Sequence, residues 1–341
     1  MKILYGVQAT GNGHISRARA IGKYLQRAGA DVDYLFSGRP RDQLFDMQQF
    51  GEFQLKRGLT FATEAGKVNY WRSFRQASMT ELLRDIRQLD CRHYDLVITD
   101  FEPVTAWAAR RQKVPSLAIG HQYAFLHQIP MEQANFFTQL IFKYFAPAQT
   151  HLGLHWHHFN QPILPPIIDV ADTEKTLIPG KVLVYLPFEH QQQVIAMLSP
   201  LRDYQFAVYG PGLDSCSNGH ISTQPPSLAA FKADLADCQY VLSNAGFELI
   251  SEALQLQKRI MVKPLSGQME QQSNALALQR LKLATRTDSL SSAIIGNWLA
   301  SSSVFEKVSY PNVAKAISQW LLNGRQQSTA QLSQQLWQEA K

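Results

Sequence analysis

His14 closes the segment Ala9-Thr10-Gly11-Asn12-Gly13-His14, and Asp100 ends the apolar run Leu96-Val97-Ile98-Thr99. A histidine in the first turn of a helix titrates near neutral pH and suits a general base. A carboxylate beside it would fix its tautomer and stabilise the imidazolium formed during proton transfer. The competing accounts are a histidine that only packs the turn and an aspartate that only caps the turn into Pro103. The glycines Gly11 and Gly13, with Asn12 between them, permit a tight turn and leave helix N–H groups open to an anion. No Lys-Ser/Thr pair follows, so the turn is not a Walker loop. As a dinucleotide fingerprint it also fails, because Ser16 stands at the third glycine position and no acidic residue ends the next strand.

A second constellation runs from Asn244 through Ala245, Gly246 and Phe247 to Glu252. A strand ends, a turn of small residues follows and a helix begins, so N–H groups near Ala245 to Phe247 can hold a diphosphate without lysine. Glu248 and Glu252 share a helix face, and Glu252 lies deep enough to accept hydrogen bonds from ribose hydroxyls. A solvated acidic face is the plainer reading. Downstream, Glu270, Gln271 and Asn274 combine acid and amide groups that grip sugar hydroxyls, with helix capping as the rival account. His155, His157 and His158 share one short segment, alternate in direction and have no nearby carboxylate, so no metal site is expected.

Positioning these groups requires alternating strands and helices. Strands are predicted at Lys2–Val7, Val32–Phe36, Tyr94–Thr99, Ser116–Ile119 and Thr150–His155. The intervening helices are Ile15–Ala28, with Gly29 as C-cap glycine, Val104–Arg111 and Met131–Phe145. Residues 51–90 read as a long basic loop followed by a helix at Met79–Leu89. Clustered proline in Gln161–Pro166 marks a linker. The rhythm then restarts: strands at Lys181–Leu186, Gln205–Tyr209, Tyr240–Ser243 and Arg259–Lys263, and helices at Leu228–Leu235, Phe247–Leu256 and Glu270–Leu281. A polar terminal helix covers the Gln-rich residues 326–338. Two α/β domains in tandem follow, as 341 residues also suggest.

Residues 1–165 hold 19 Lys and Arg against 13 Asp and Glu, and the rest hold 14 against 14, so the net +6 belongs to the first half. Together with the aromatic segment from Phe136 to Phe145, the basic residues Lys56, Arg57, Lys67, Arg72 and Arg75 form a candidate surface for an anionic or lipid-linked partner, against core packing as the plain account. Basic residues scattered among carboxylates give no nucleic-acid module. Cys91, Cys216 and Cys238 show neither pairing nor CxxC spacing, and the apolar N-terminus ends at Val7, so a cytoplasmic chain is expected, with peripheral contact to the inner membrane face.

The second-half segments resemble the donor-binding region of GT-B glycosyltransferases, the group of the UDP-glycosyltransferases and the bacterial enzyme that adds N-acetylglucosamine to lipid-linked peptidoglycan precursor. Gly246 is followed six residues later by Glu252, then come Pro264, Glu270-Gln271 and Asn274-Ala275, and Gly11-Asn12-Gly13-His14 is similar to the family's glycine-rich turn. The resemblance implies two Rossmann-like domains facing across a cleft: 1–165 for the acceptor, 166–310 for the nucleotide-sugar donor, and 311–341 as helices packing back on the first. It implies inverting transfer from a nucleotide sugar, UDP in first place, to an acceptor hydroxyl, without a cofactor. His14 would be the base and Asp100 its partner, with the diphosphate at Asn244 to Phe247, ribose at Glu252 and donor sugar at Glu270 and Gln271. Asn244 replaces a common phosphate-binding histidine, Leu249 replaces a serine, and Leu186-Pro187-Phe188-Glu189 replaces a Gly-Ser loop. These departures keep open a nucleotide-sugar hydrolase or epimerase, or a binding protein without turnover.

Overall fold

Two parallel sheets, one in each half of the chain, set up the two edges on which the candidate residues stand. The computed structural model describes all residues except 59–62, 65–66, 69–78, 133–135, 170–175 and 303, and the side chains of 63–64, 67–68 and 136–137. Expectations resting on Arg72, Arg75 and the side chains of Lys67, Phe136 and Phe137 therefore lie outside the described residues.

The first sheet contains β1 (Lys2–Gln8), β2 (Asp31–Ser37), β3 (Phe53–Lys56), β4 (Leu96–Asp100), β5 (Ser116–Gly120) and β6 (Thr150–Gly153), in the order β3-β2-β1-β4-β5-β6. Val7 stands opposite Asp100 and Gln8 opposite Ser37, so the carboxyl ends of the three central strands form one edge. β1 and β4 are buried along almost their whole length, as strands covered by helices on both faces must be. The covering helices are α1 (Asn12–Arg27), α2 (Met79–Gln88), α3 (Pro103–Gln112) and α4 (Phe136–Tyr144). α1 starts three residues before Ile15, which brings His14 inside its first turn. Its buried Ile15, Ala18, Ile21 and Leu25 keep the helical spacing, and Gly29 takes the left-handed φ of 79° expected of its place.

The second sheet contains β7 (Lys181–Tyr185), β8 (Gln205–Tyr209), β9 (Cys216–Asn218), β10 (Ile221–Gln224), β11 (Tyr240–Ser243), β12 (Arg259–Val262) and β13 (Thr285–Arg286), in the order β9-β10-β8-β7-β11-β12-β13. β9 runs antiparallel to β10 and the other pairs are parallel. Its helices are α5 (Gln191–Leu198), α6 (Leu228–Asp237), α7 (Phe247–Gln255), α8 (Met269–Arg280) and α9 (Ser292–Ala300). The chain ends in α10 (Val313–Leu322) and α11 (Thr329–Glu339), which cross back to the first half. Asn312 at the start of α10 donates to the Tyr24 hydroxyl at 2.5 Å, and Ser333 and Trp337 of α11 both donate to the Ile163 carbonyl, at 2.7 and 2.6 Å.

The structure revises two expectations and decides a third in favour of core packing. The proline cluster is extended, as expected of a linker, but it is packed: Ile163 and Leu164 are wholly buried, and Leu164 exchanges backbone hydrogen bonds with Gly153 and His155 beside β6. Proline fixes the backbone angle and says nothing about burial. The start of the basic loop is the edge strand β3, and its Lys56 and Arg57 are paired with Asp85 (3.2 Å) and Glu81 (3.0 Å) of α2, which removes them from a free cationic surface. Phe142 of α4 and Phe145 just after it pack on Phe125 and Phe101, with ring centroids 5.1 and 4.8 Å apart, so core packing accounts for that face, whereas Tyr144 is exposed. Among the described residues no helix is long and apolar enough to cross a membrane.

Candidate active site

β1 delivers the chain to Gly11, the N-cap of α1, which offers no side-chain acceptor to the first N–H groups. His14 then projects onto the sheet edge, where its Nδ1 lies 2.6 Å from Asp100 Oδ1. Asp100 is the last residue of β4 and has no exposure, while the His14 side chain keeps 14%. The following residue, Phe101, holds a left-handed φ of 52° that a side chain rarely adopts, and its ring is clamped by Tyr123, Phe142 and Phe145. Such strain persists where surrounding packing over-determines it; here it turns the chain sharply at Asp100. The ionised Asp100 can only accept, and Arg17 Nη2, 3.0 Å from the same Nδ1, donates at 2.6 Å to Asp100 Oδ1, so we assign the proton to Nδ1 and the lone pair to Nε2.

Arg17, one helical turn beyond His14, completes this arrangement and was not anticipated from the sequence. Its Nε donates to Asp100 Oδ2 and its Nη2 to Asp100 Oδ1, both at 2.6 Å, and its Nη1 donates to Glu248 of α7, in the other half of the chain. Burial alone would raise the Asp100 carboxyl, but Arg17 and His14 outweigh it and hold it below the usual carboxylate range. Burial likewise opposes charge on Arg17, and Asp100 with Glu248 reverses that, so the guanidinium is held more firmly protonated than usual. Gly13 lets Glu248 approach: a Cβ on it would stand 2.3 Å from Glu248 Oε2 and would push that side chain aside. The spacing of His14 and Arg17 on one helix face was a usable signal. Glu248 had none, since its partner lies 231 residues away.

The edge facing this group is the end of β11. Asn244, Ala245 and Phe247 are buried, Gly246 is exposed and forms the N-cap of α7, and so the first α7 N–H groups also lack a side-chain cap. Asn244 Nδ2 donates to the Lys263 carbonyl at 3.0 Å, while its buried Oδ1 finds no partner among the described residues. Lys263 itself is ion-paired to Glu189 at 2.6 Å, in the segment that replaces the expected Gly-Ser loop. Asn274 Nδ2 donates to the Ala245 carbonyl at 2.9 Å and its Oδ1 lies 2.6 Å from His121 Nε2, so this residue shapes the turn from below. The His121 ring lies flat on Phe247, centroids 4.0 Å apart and planes 5° apart, which seats the first half directly against the turn.

Glu252 is buried, and Lys232 of α6 donates to it at 2.5 Å. Burial raises its carboxyl above the ordinary value, against the opposing pull of Lys232. Glu270 accepts from Gln122 of the first half at 3.3 and 3.4 Å, placing it at the junction of the two edges. The Gln271 side-chain Oε1 accepts instead from the Leu265 backbone N–H at 3.0 Å and holds the loop after β12. His155 packs on His121, ring centroids 5.3 Å apart, and in each of His155, His157 and His158 the Nδ1 accepts a backbone N–H of its own turn at 2.9 Å.

A sequence profile described as Glycosyl transferase family 1 matches residues 1–302. An uncharacterized glycosyltransferase of Methanosarcina mazei is 29% identical over 130 residues, 36% of this chain, and the match spans about a third (34%) of that relative's length. Among solved structures, the glycosyltransferase SnogD of Streptomyces nogalater aligns with a TM-score of 0.58 at 13% identity, covering 98% of this chain and 96% of its own. LpCGTa, solved in complex with UDP, aligns with a TM-score of 0.61 at 13% identity, covering 98% of each chain. These likenesses show the fold, the GT-B arrangement of two parallel-sheet halves.

Proposed function

The chain belongs to glycosyl transferase family 1, and from that premise we propose that it moves a sugar from a nucleoside diphosphate sugar, UDP in first place, to an acceptor hydroxyl with inversion at the anomeric carbon. His14 Nε2 takes the proton of the acceptor hydroxyl as its oxygen bonds to the anomeric carbon. The bond from that carbon to the diphosphate breaks, and its electron pair leaves with the diphosphate oxygen. Asp100 stabilises the imidazolium as it forms. The N–H groups at Ala245 to Phe247 receive the growing charge on the diphosphate, where preorganised dipoles act without reorganisation. Glu252 takes the ribose hydroxyls, sharing them with or releasing Lys232, and Glu270 takes the transferred sugar, with Gln271 shaping the loop beneath it.

The observation that carries this reading is the 2.6 Å pairing of His14 with buried Asp100, set opposite the glycine-capped start of α7. The UDP held by LpCGTa supports the donor class. We place the acceptor on the first half, whose excess of 19 basic over 13 acidic residues favours an anionic or lipid-linked molecule. Calorimetry with UDP, dTDP and their sugars, followed by product analysis with the tightest donor, tests the proposal. Binding of nucleotide sugars with glycoside formation supports it; nucleotide release that needs no acceptor would make the protein a hydrolase instead, and the absence of any nucleotide binding would refute the reading.

A further inference from the structure

Arg39 follows β2 on the carboxyl edge of the first sheet, two residues after Ser37. It is half-buried, and burial pulls its guanidinium below the ordinary value against only the Tyr185 hydroxyl. Part of its donor set fastens it to the first half: Nη1 donates to Asn12 Oδ1 at 2.8 Å and makes a long contact to the Gln43 carbonyl at 3.5 Å, and Nη2 donates to the Thr10 carbonyl at 2.8 Å. A guanidinium carries five N–H donors, so the Nε–H and one Nη2 N–H are left without a partner among the described residues. By contrast Lys232 is committed to Glu252, Lys263 to Glu189, and Arg17 to Asp100 and Glu248. A half-buried cation without a carboxylate has lost hydration and gained no counter-charge, so it suits an anion that arrives from outside.

The facing wall belongs to the second half and borders the start of α7. Tyr185 ends β7 opposite Ser243, and its carbonyl accepts from the Asn244 N–H at 3.4 Å, so it adjoins the turn that runs into Gly246. Burial pushes the Tyr185 hydroxyl up, while the Asn12 side chain and the Arg39 guanidinium draw it back, which sets Arg39 toward that wall. The space beside the two glycine caps is open. Thr10 and Gly246 are exposed, a Cβ on Gly246 would meet nothing within 4 Å, and one on Gly11 would meet only His14 Cδ2 at 3.9 Å. A guanidinium and uncapped helix N–H groups bordering one open space suit a ligand with several anionic oxygens, as a diphosphate has. Resting on the function proposed above, we propose that Arg39 is a donor-diphosphate residue supplied by the first half, its free Nε and Nη2 N–H groups donating to phosphate oxygens that also meet the start of α7. It thereby supplies side-chain contacts that the departures at Asn244 and at residues 186–189 remove, and the diphosphate is held from both halves.

Two substitutions separate a phosphate contact from a purely structural role. Arg39→Met removes the charge and every donor. Arg39→Lys keeps a point charge but not the fork that fastens Asn12, Gln43 and Thr10. The Kd values of UDP and dTDP are measured by calorimetry for wild type and both variants across a series of NaCl concentrations. For the nucleotide that wild type binds more tightly, Arg39→Met is expected to weaken binding about tenfold, the scale of a charged hydrogen bond, and to flatten the dependence on salt. Arg39→Lys is expected to stay within about threefold of wild type and to keep its salt dependence. Unchanged affinity in Arg39→Met, or an equal loss in both variants, means that Arg39 only holds the turn at Gly11 and overturns the proposal. A wild-type protein that binds neither nucleotide overturns the underlying function as well, which separates the two failures.

Discussion

The two sheet edges that face each other differ in how their charges are settled. On the first, Asp100 is saturated by three hydrogen bonds from His14 and Arg17, with every partner buried or nearly so. On the second, the charged groups are held in pairs that a ligand must share or replace, Lys232 with Glu252 and Lys263 with Glu189, while buried polar atoms without partners among the described residues occur on both sides, Tyr5 Oη on the first and Asn244 Oδ1 on the second. A base needs one fixed tautomer and orientation before substrate arrives, so a complete, low-dielectric network suits it. A donor site must hold a large anion and release its product, so exchangeable pairs and open N–H groups suit it. Arg17 joins the two by reaching Glu248 across the halves.

The comparison breaks most severely at Asp100. Asp100→Asn should lower turnover by about a thousandfold or more, as loss of the tautomer-fixing carboxylate does elsewhere, while donor affinity by calorimetry stays near wild type. The same variant has a pH signature. The folded-state carboxyl lies below its unfolded value, so its contribution to stability is present above the unfolded pKa of about 3.9 and disappears as pH falls through the folded pKa. Urea unfolding should therefore show the variant's deficit in full at neutral pH and shrinking only in the acid range. A deficit independent of pH would remove the ion pair from the explanation.

Arg17→Met should come next, costing about 3–5 kcal/mol because Asp100 would be left buried beside a weaker partner; a loss under about 1 kcal/mol by chemical denaturation would contradict a saturated first edge. On the exchangeable edge the effects should be smaller and fall on binding. Glu252→Gln is expected to weaken UDP by roughly tenfold, the scale of a charged hydrogen bond, without a comparable loss of thermal stability. The least effect belongs to the exposed pair of Arg57 and Glu81, whose side chains are 65% and 37% exposed. A double-mutant cycle there should give about 0.2–1 kcal/mol, and a larger value would mean that the first half's surface charge is as structured as its buried edge.

The first edge was the more legible of the two in sequence. Buried parallel strands are continuous apolar runs, and a glycine turn before a helical repeat announces the carboxyl end of a strand, so His14 and Asp100 could be placed before any coordinates. Arg17 was within reach of the same reasoning, three residues along the same helix. Glu248 was not, because a partner 231 residues away leaves no periodicity or spacing to read. The Gln-rich start of α5 and the wholly exposed β9 lack the apolar spacing that marks an element, and both went unpredicted. The proline cluster was expected as a linker and is extended, but proline says nothing about packing, and Ile163 and Leu164 are buried beside β6.

The central claim is that His14 is the base of an inverting transfer from a nucleotide sugar. Single-turnover transfer from the donor selected by calorimetry, measured for wild type and His14→Ala at matched donor occupancy, tests it most directly. A fall in rate of about a hundredfold to ten-thousandfold, the range of general base catalysis, with the donor Kd unchanged, is the predicted result. Equal rates in the two proteins would contradict the account.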